Sequence, residues 1–165
     1  MAQSASSTTR EFARRLRDSS GLPFTVGAIA EREGIGLPAI DEANVFTRNF
    51  SADMAEKALS AKYPSIYVYC DRVNNDLGEK FRTFSGTATM NAEIRVSHDH
   101  VDGLEQSLQL YVEALTDVLD NNRGPWQTGM FYPGRYEVQF GAVKPGGKRF
   151  LQTAKVRFEV HISKD

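Results

Sequence analysis

One stretch limits the fold of this chain more than any other. From Thr83 to Ser97 the residues alternate, with Phe84, Gly86, Ala88, Met90, Ala92, Ile94 and Val96 on one side. Thr83, Ser85, Thr87, Thr89, Asn91, Glu93, Arg95 and Ser97 form the other. A period of two places residues on two faces only in extended chain, so this segment is a half-buried β-strand. At about 3.3 Å per residue, its roughly fourteen residues span about 46 Å, more than strands usually run inside a compact domain. Part of it is therefore expected to project, or to bend at Gly86.

Two further stretches share the pattern. Ser65 to Val73 sets Ile66, Val68 and Cys70 against Tyr67, Tyr69 and Asp71, and its partly apolar faces suggest a central strand. Arg149 to Ser163 opposes Phe150, Ala154, Val156, Phe158, Val160 and Ile162 to Thr153, Lys155, Arg157, Glu159 and His161. It follows a strand over Arg135 to Val143 and the turn Lys144-Pro145-Gly146-Gly147-Lys148, as an antiparallel hairpin does. Between the second and third strands, Leu104, Leu108, Tyr111, Leu115 and Val118 fall at helical spacing, with Asp102 and Glu105 as a capping pair and Asn121, Asn122, Gly124 and Pro125 as the stop. That helix is the best cover for the apolar sheet face.

The first fifty residues read differently. Thr8 and Glu11 offer a capping box for a short helix ending near Asp18, with Phe12 and Leu16 on one side and Arg10, Arg14, Arg15 and Arg17 around the rest. It is either a solvated face with a two-residue anchor or an arm that grips a neighbour or a phosphate backbone. Gly21 to Ile40, punctuated by five glycines and prolines after Gly21, reads as an irregular connection, Asn44 to Phe50 as a short strand, and Ser51 to Tyr63 as a helix ended by Pro64. The expected fold class is α+β: a mainly antiparallel sheet of about four strands with a long hairpin, covered by amphipathic helices on one face. Residues 1–50 form an N-terminal arm with a short helix and an irregular connection, and residues 51–165 the α+β domain.

Twenty Lys and Arg against 21 Asp and Glu leave a formal charge of -1, so no net field draws the chain to nucleic acid or an anionic membrane. Cys70 is the only cysteine, which excludes an internal disulfide framework and suits a reducing compartment. Met1 to Thr9 lacks the apolar run of a secretory signal, and no stretch approaches the ~20 apolar residues of a spanning helix. Neither secretion nor a membrane is expected.

The common signatures of catalysis are missing: no P-loop, nucleophile elbow, H-E-x-x-H or metal-spaced cysteine pair occurs. Gly34-Ile35-Gly36 lacks the strand and third glycine of a dinucleotide loop. His98, Asp99, His100 and Asp102 place two imidazoles and two carboxylates within five residues, enough to begin a metal site, with only His161 left among the histidines to add to it. The same residues also serve a strand end and a helix N-terminus, and no metal is expected. Cys70 sits on the apolar face of its strand, where thiols are packing. Lys144, Lys148 and Arg149 at the hairpin tip form a solvated turn or touch phosphates. Trp126, Phe131 and Tyr132 either cap the core or anchor a partner. Glu93, Arg95, Lys155, Arg157 and Glu159 dress one sheet face with mixed charge, suited to a subunit interface or a wet lumen.

From Pro64 to Ile162 the order is strand, long strand, amphipathic helix, strand and final strand. Within it stand the phrase Phe131-Tyr132-Pro133-Gly134-Arg135-Tyr136-Glu137-Val138 and the tail Phe150-Leu151 to Val160. This pattern resembles the tail-terminator and head-to-tail joining (neck) proteins of tailed bacteriophages. The resemblance implies a non-enzymatic virion protein without cofactor, made in the host cytoplasm. It implies a homo-oligomeric ring, commonly a hexamer, that caps the tail tube and meets neck or connector proteins. DNA would pass its lumen without specific binding. The alternatives are another tail or neck subunit (tube, baseplate, connector), or a small cytosolic metal-binding α+β enzyme. The strand pattern itself predicts that Met90→Asp or Phe158→Asp prevents folding while Thr89→Asp costs little, a contrast that thermal melts measure.

Overall fold

The computed structural model describes residues 2–51 and 62–165. The helix expected over Ser51 to Tyr63 lies outside the described residues. Chain order is α1 (Ala2–Arg17), α2 (Leu22–Glu33), a 3-10 turn (Glu42–Asn44), β1 (Val45–Phe46), β2 (Ser65–Asn75), β3 (Phe84–His98), α3 (Leu104–Asn121), β4 (Gly124–Gln127), β5 (Met130–Tyr132), β6 (Tyr136–Phe140), β7 (Lys144–Gly146) and β8 (Arg149–Lys164). The class is α+β. Among the described residues the sheet has eight strands where about four were expected, and β1 joins β2 in parallel where the others pair antiparallel.

The long strand neither projects nor stops at Gly86. It pairs rung by rung with β8, from Phe84 opposite Lys164 to His98 opposite Phe150. The two strands pair over fifteen successive rungs and so satisfy each other's hydrogen bonds along the whole of β3. Gly86 has another role: a Cβ there would meet the Asn74 carbonyl oxygen at 1.9 Å, so it lets β2 approach closely. The other edge of β8 explains the extra strands. β7 pairs with Arg149–Leu151, β6 with Ala154–Phe158 and β5 with His161–Ile162, so three short pieces do the work of one long partner. Glycine and proline at Gly129, Pro133, Gly134, Gly141 and Pro145 divide them. The hairpin thus stays within the sheet rather than extending past it. β2 lies second from one edge, not at the centre.

The even face of β3 and β8 is the core, as expected: Met90, Ala92, Ile94, Val156 and Val160 are fully buried and Phe158 nearly so. α3 supplies Leu104, Leu108, Tyr111, Leu115, Val118 and Leu119 to the same cluster. Its N-terminus differs from expectation. Gly103 caps it in the left-handed region (φ 79°) with no side-chain cap, and Leu104 N–H donates to the Val101 carbonyl at 3.2 Å. Asp102 and Glu105 form no capping box.

The first fifty residues supply part of this core. Phe12, Ala13, Leu16, Leu22, Val26, Ile29, Ile40 and Val45 belong to the same buried cluster. α1 begins six residues before Thr8, whose hydroxyl donates to the Ser4 carbonyl at 2.8 Å from inside the helix. The Gly21–Ile40 stretch, expected to be irregular, holds α2. Pro23 starts it and left-handed Gly34 (φ 65°) ends it, while Leu22, Thr25, Val26 and Ile29 repeat at helical spacing between them. The glycines and prolines there mark ends, except Gly27, which no neighbouring atom crowds.

α1 is fastened by charge as well as packing. Phe12 lies against Trp126 and Phe158, with ring centroids 5.7 and 4.7 Å away. On the preceding residue, the buried Glu11 carboxylate receives Arg14 at 2.8 Å, Arg15 at 2.9 Å and Gln127 Nε2 at 2.7 Å. Arg15 also donates to the Trp126 carbonyl at 2.9 Å. Burial alone would raise the Glu11 carboxyl; the hydrogen bond from Arg14 and the charges of Arg15 and Arg14 overcome it and hold the group below its ordinary value. The stabilisation is therefore complete above the ordinary glutamate range and is lost as pH falls through the depressed folded value. Glu11→Gln is expected to cost about 1.5–3 kcal/mol near neutral pH and to flatten the acid limb of the stability curve, which urea titrations between neutral and acid pH test.

Candidate subunit interface

The odd face of the sheet was expected to meet neighbours or line a wet lumen and to tolerate a charge at Thr89, and the structure corrects the second point. Thr89, Asn91 and Arg95 are 3, 2 and 1% exposed, so Thr89→Asp would be costly, contrary to the strand-pattern expectation. The ladder explains the burial of Thr89 and Asn91, which longer side chains flank on both sides, Arg72 and Glu159 for the first and Tyr69 and Arg157 for the second. Tyr69, Asn91, Arg157 and Glu137 share one rung row, and Tyr67, Glu93, Lys155 and Gln139 the next. Glu93 thus stands opposite Lys155, and Glu137 opposite Arg157, giving a face of alternating sign.

Arg95 sits deepest. Its Nε donates to Glu93 Oε1 at 2.8 Å, its guanidinium carbon lies 3.9 Å from the Tyr67 ring centroid, and Nη2 donates to the Phe50 carbonyl. Nη1 and the Asn91 amide nitrogen have no partner among the described residues. Arg95 therefore ties the segment after β1 to the sheet. Beside it opens a groove of about 710 Å³ lined by Phe50, Tyr69, Glu93, Gln139, Lys144 and Lys155 among others. Of the five face residues chosen from sequence, Glu93 and Arg95 are committed to this inner pair, while Lys155 is half-buried and Arg157 and Glu159 are exposed.

The aromatic loop divides. Trp126 (6% exposed) and Tyr132 (fully buried) pack against each other and Phe158, so they are core caps and cannot reach a neighbour as placed. Phe131, between the buried Met130 and Tyr132 on β5, faces the other way and is half exposed. At the hairpin tip Lys144 and Lys148 are exposed, and Arg149 pairs with Asp99 at 3.0 Å. That pairing draws Asp99 away from the two histidines. His98 Nδ1 accepts the His100 backbone N–H at 3.1 Å, and no metal-holding group of three His, Cys, Asp or Glu occurs among the described residues. The Cys70 thiol is raised by burial and donates to the Arg72 carbonyl at 3.3 Å. No described helix is long and apolar enough to cross a membrane.

The sequence reading missed the edges. β6 pairs only with β8, and its outer side has no partner among the described residues, leaving Tyr136 and Phe140 38 and 47% exposed. At the opposite edge, β1 covers only Ile66 and Tyr67 of β2, so Val68 to Asn75 is bare on that side among the described residues. The signal in β6 was its alternation, visible in sequence as Tyr136, Val138, Phe140 and Ala142 on one side of the strand.

No family model matches the chain, and no curated protein matches it. Among solved structures it is similar to a chain of a "Virion of native gene transfer agent (GTA) particle", with 10% identity, a TM-score of 0.40, and coverage of 88% of this chain and 93% of that one. A likeness that distant carries no functional argument. For the interface, the expected outcome is that Arg95→Met alone, which strands Glu93, costs about 3–5 kcal/mol, whereas Arg95→Met with Glu93→Leu recovers most of it. Denaturant melts of the two variants measure this.

Proposed function

We propose that the chain is a structural virion protein without catalytic activity, a ring-forming tail terminator that caps a phage tail tube and joins it to the neck. The pattern over residues 64–162 motivates the reading, and the two bare edges of one sheet carry it. Strand direction alternates from β2 through β3 and β8 to β6, so β6 runs antiparallel to β2. A copy placed alongside in the same orientation therefore brings its β2 edge to the first copy's β6 edge in antiparallel register, and repetition about one axis closes a ring. Such pairing also satisfies the outer backbone groups of β6, an edge that with Tyr136 and Phe140 exposed is otherwise open to aggregation.

In that ring the mixed face lines the lumen. Glu93 beside Lys155 and Glu137 beside Arg157 leave no dense basic stripe, so DNA passes without being held by its phosphates. The partners are further copies, six by the resemblance, with tube protein below and neck or connector protein above. Electron microscopy of particles assembled without this protein tests the proposal: tails of uncontrolled length, or tails not joined to heads, are expected, and normal infectious virions exclude it.

A further inference from the structure

We infer that neighbouring copies are locked by an aromatic knob: Phe81, at the tip of the β2–β3 loop, seats in an edge notch between β5 and β6 of the next copy. The inference rests on the head-to-tail ring proposed above and names the contact that fixes its register.

The knob is unusual on two counts. Phe81 is 99% exposed and Leu77, in the same loop, 62%. Both hold positive φ, 65° and 48°, a conformation that bulky L-residues adopt only at a cost. The loop thus spends strain to hold two apolar side chains in water, which has no folding benefit within this chain. Its charges are arranged to leave one cation free. Arg82 is held by Glu79 and Asp165, whereas Lys80, next to Phe81, has no ion-pair partner among the described residues.

The notch lies on the opposite edge of the sheet. β8 pairs with β5 at His161–Ile162 and with β6 from Phe158 downward, so Glu159 and Val160 lack a strand partner on that side among the described residues. The hollow there measures about 590 Å³. Pro133 and Tyr136 give it exposed apolar surface over the buried Phe158, and its charged lining is mixed, with Glu137 and Glu159 beside Arg135 and Arg157 and with His161 at one side. An aromatic ring fits against the apolar side of this hollow, and the Lys80 ammonium beside it can reach one of the two carboxylates while the arginines stay beside the other.

Position agrees with chemistry. β2 ends at Asn75, on the rung of Gly86 and Ile162, and the notch opens at Glu159 and Val160, near the same end of the sheet. When β6 and a neighbour's β2 lie edge to edge and antiparallel, the neighbour's loop leaves β2 beside the notch. Knob and hole sit on opposite edges, so the contact is head-to-tail and repeats around a ring instead of ending at a pair.

The test is thiol cross-linking with a short bifunctional reagent in cells producing particles, in a Cys70→Ser background. One chain carries Phe81→Cys with Tyr136→Cys. A second carries the edge pair Arg72→Cys with Glu137→Cys. A third, with Phe24→Cys alone, measures random collision from an exposed site on α2. The expected result is a ladder of multimers from the first two chains well above the third. Adding Phe81→Asp to the edge-pair chain, a change at a fully exposed site, is expected to cut its ladder at least about tenfold. A ladder from the edge pair alone, unchanged by Phe81→Asp, overturns the knob and leaves the ring standing. A product from the first chain that stops at dimers overturns the head-to-tail contact, and no product above collision from either pair overturns both knob and ring.

Discussion

The pairing of β3 with β8 runs from Phe84–Lys164 to His98–Phe150 without a register shift, and it fixes where every other element can go. Fifteen and sixteen residues long, the two strands satisfy each other's backbone along one edge and set one continuous parity for side chains. The even face, all Ala, Met, Ile, Val and Phe in its centre, must be covered, so α3 and α1 lie there. The far edge of β8 still needs hydrogen bonds, and the segment from Met130 to Gly146 folds back as three short strands to provide them. β2 takes the far edge of β3, with a bulge between Cys70 and Arg72 that changes which residues face the core.

The helical layer depends on a buried charge cluster. α1 carries little apolar surface beyond Phe12, Ala13 and Leu16, too narrow a stripe to hold a helix with four arginines in place by packing alone. Glu11 resolves this by taking Arg14 and Arg15 from the helix and Gln127 from β4 at one carboxylate. The same arginine that would repel a core becomes a strap, joining α1 to the Trp126 carbonyl. An inner Arg95 does the corresponding work on the other face, where it holds the segment after β1.

Placing so much charge inside leaves the outside with a simple division. The two faces of the sheet form a core and a mixed-charge surface, and among the described residues the strand edges without a strand partner are β2 beyond Tyr67 on one side and β6 with the β5–β6 notch on the other. Some of the exposed apolar side chains stand there too, Tyr136 and Phe140 on one edge strand and Leu77 and Phe81 in the loop that continues the other. A small subunit that keeps two complementary edges open has the features of a component that repeats.

What the sequence by itself determined was local periodicity. Period two identified β2, β3 and β8 and the buried face of the last two, and period 3.6 identified α3, because those patterns repeat long enough to outweigh single exceptions. The same spacing was present in α2 at Leu22, Val26 and Ile29, but glycines and prolines at its ends obscured it. Tertiary structure decided the rest. Whether Arg15 and Arg95 are solvated or buried depends on a carboxylate and a carbonyl that distant strands bring to them. Whether Trp126, Phe131 and Tyr132 anchor a partner or cap the core depends on which side of β5 faces Phe12 and Phe158. Alternation along β6 states that one side is apolar, but only the position of the helices over the sheet determines that this side remains uncovered, since burial is a property of the whole packed layer and not of any one segment.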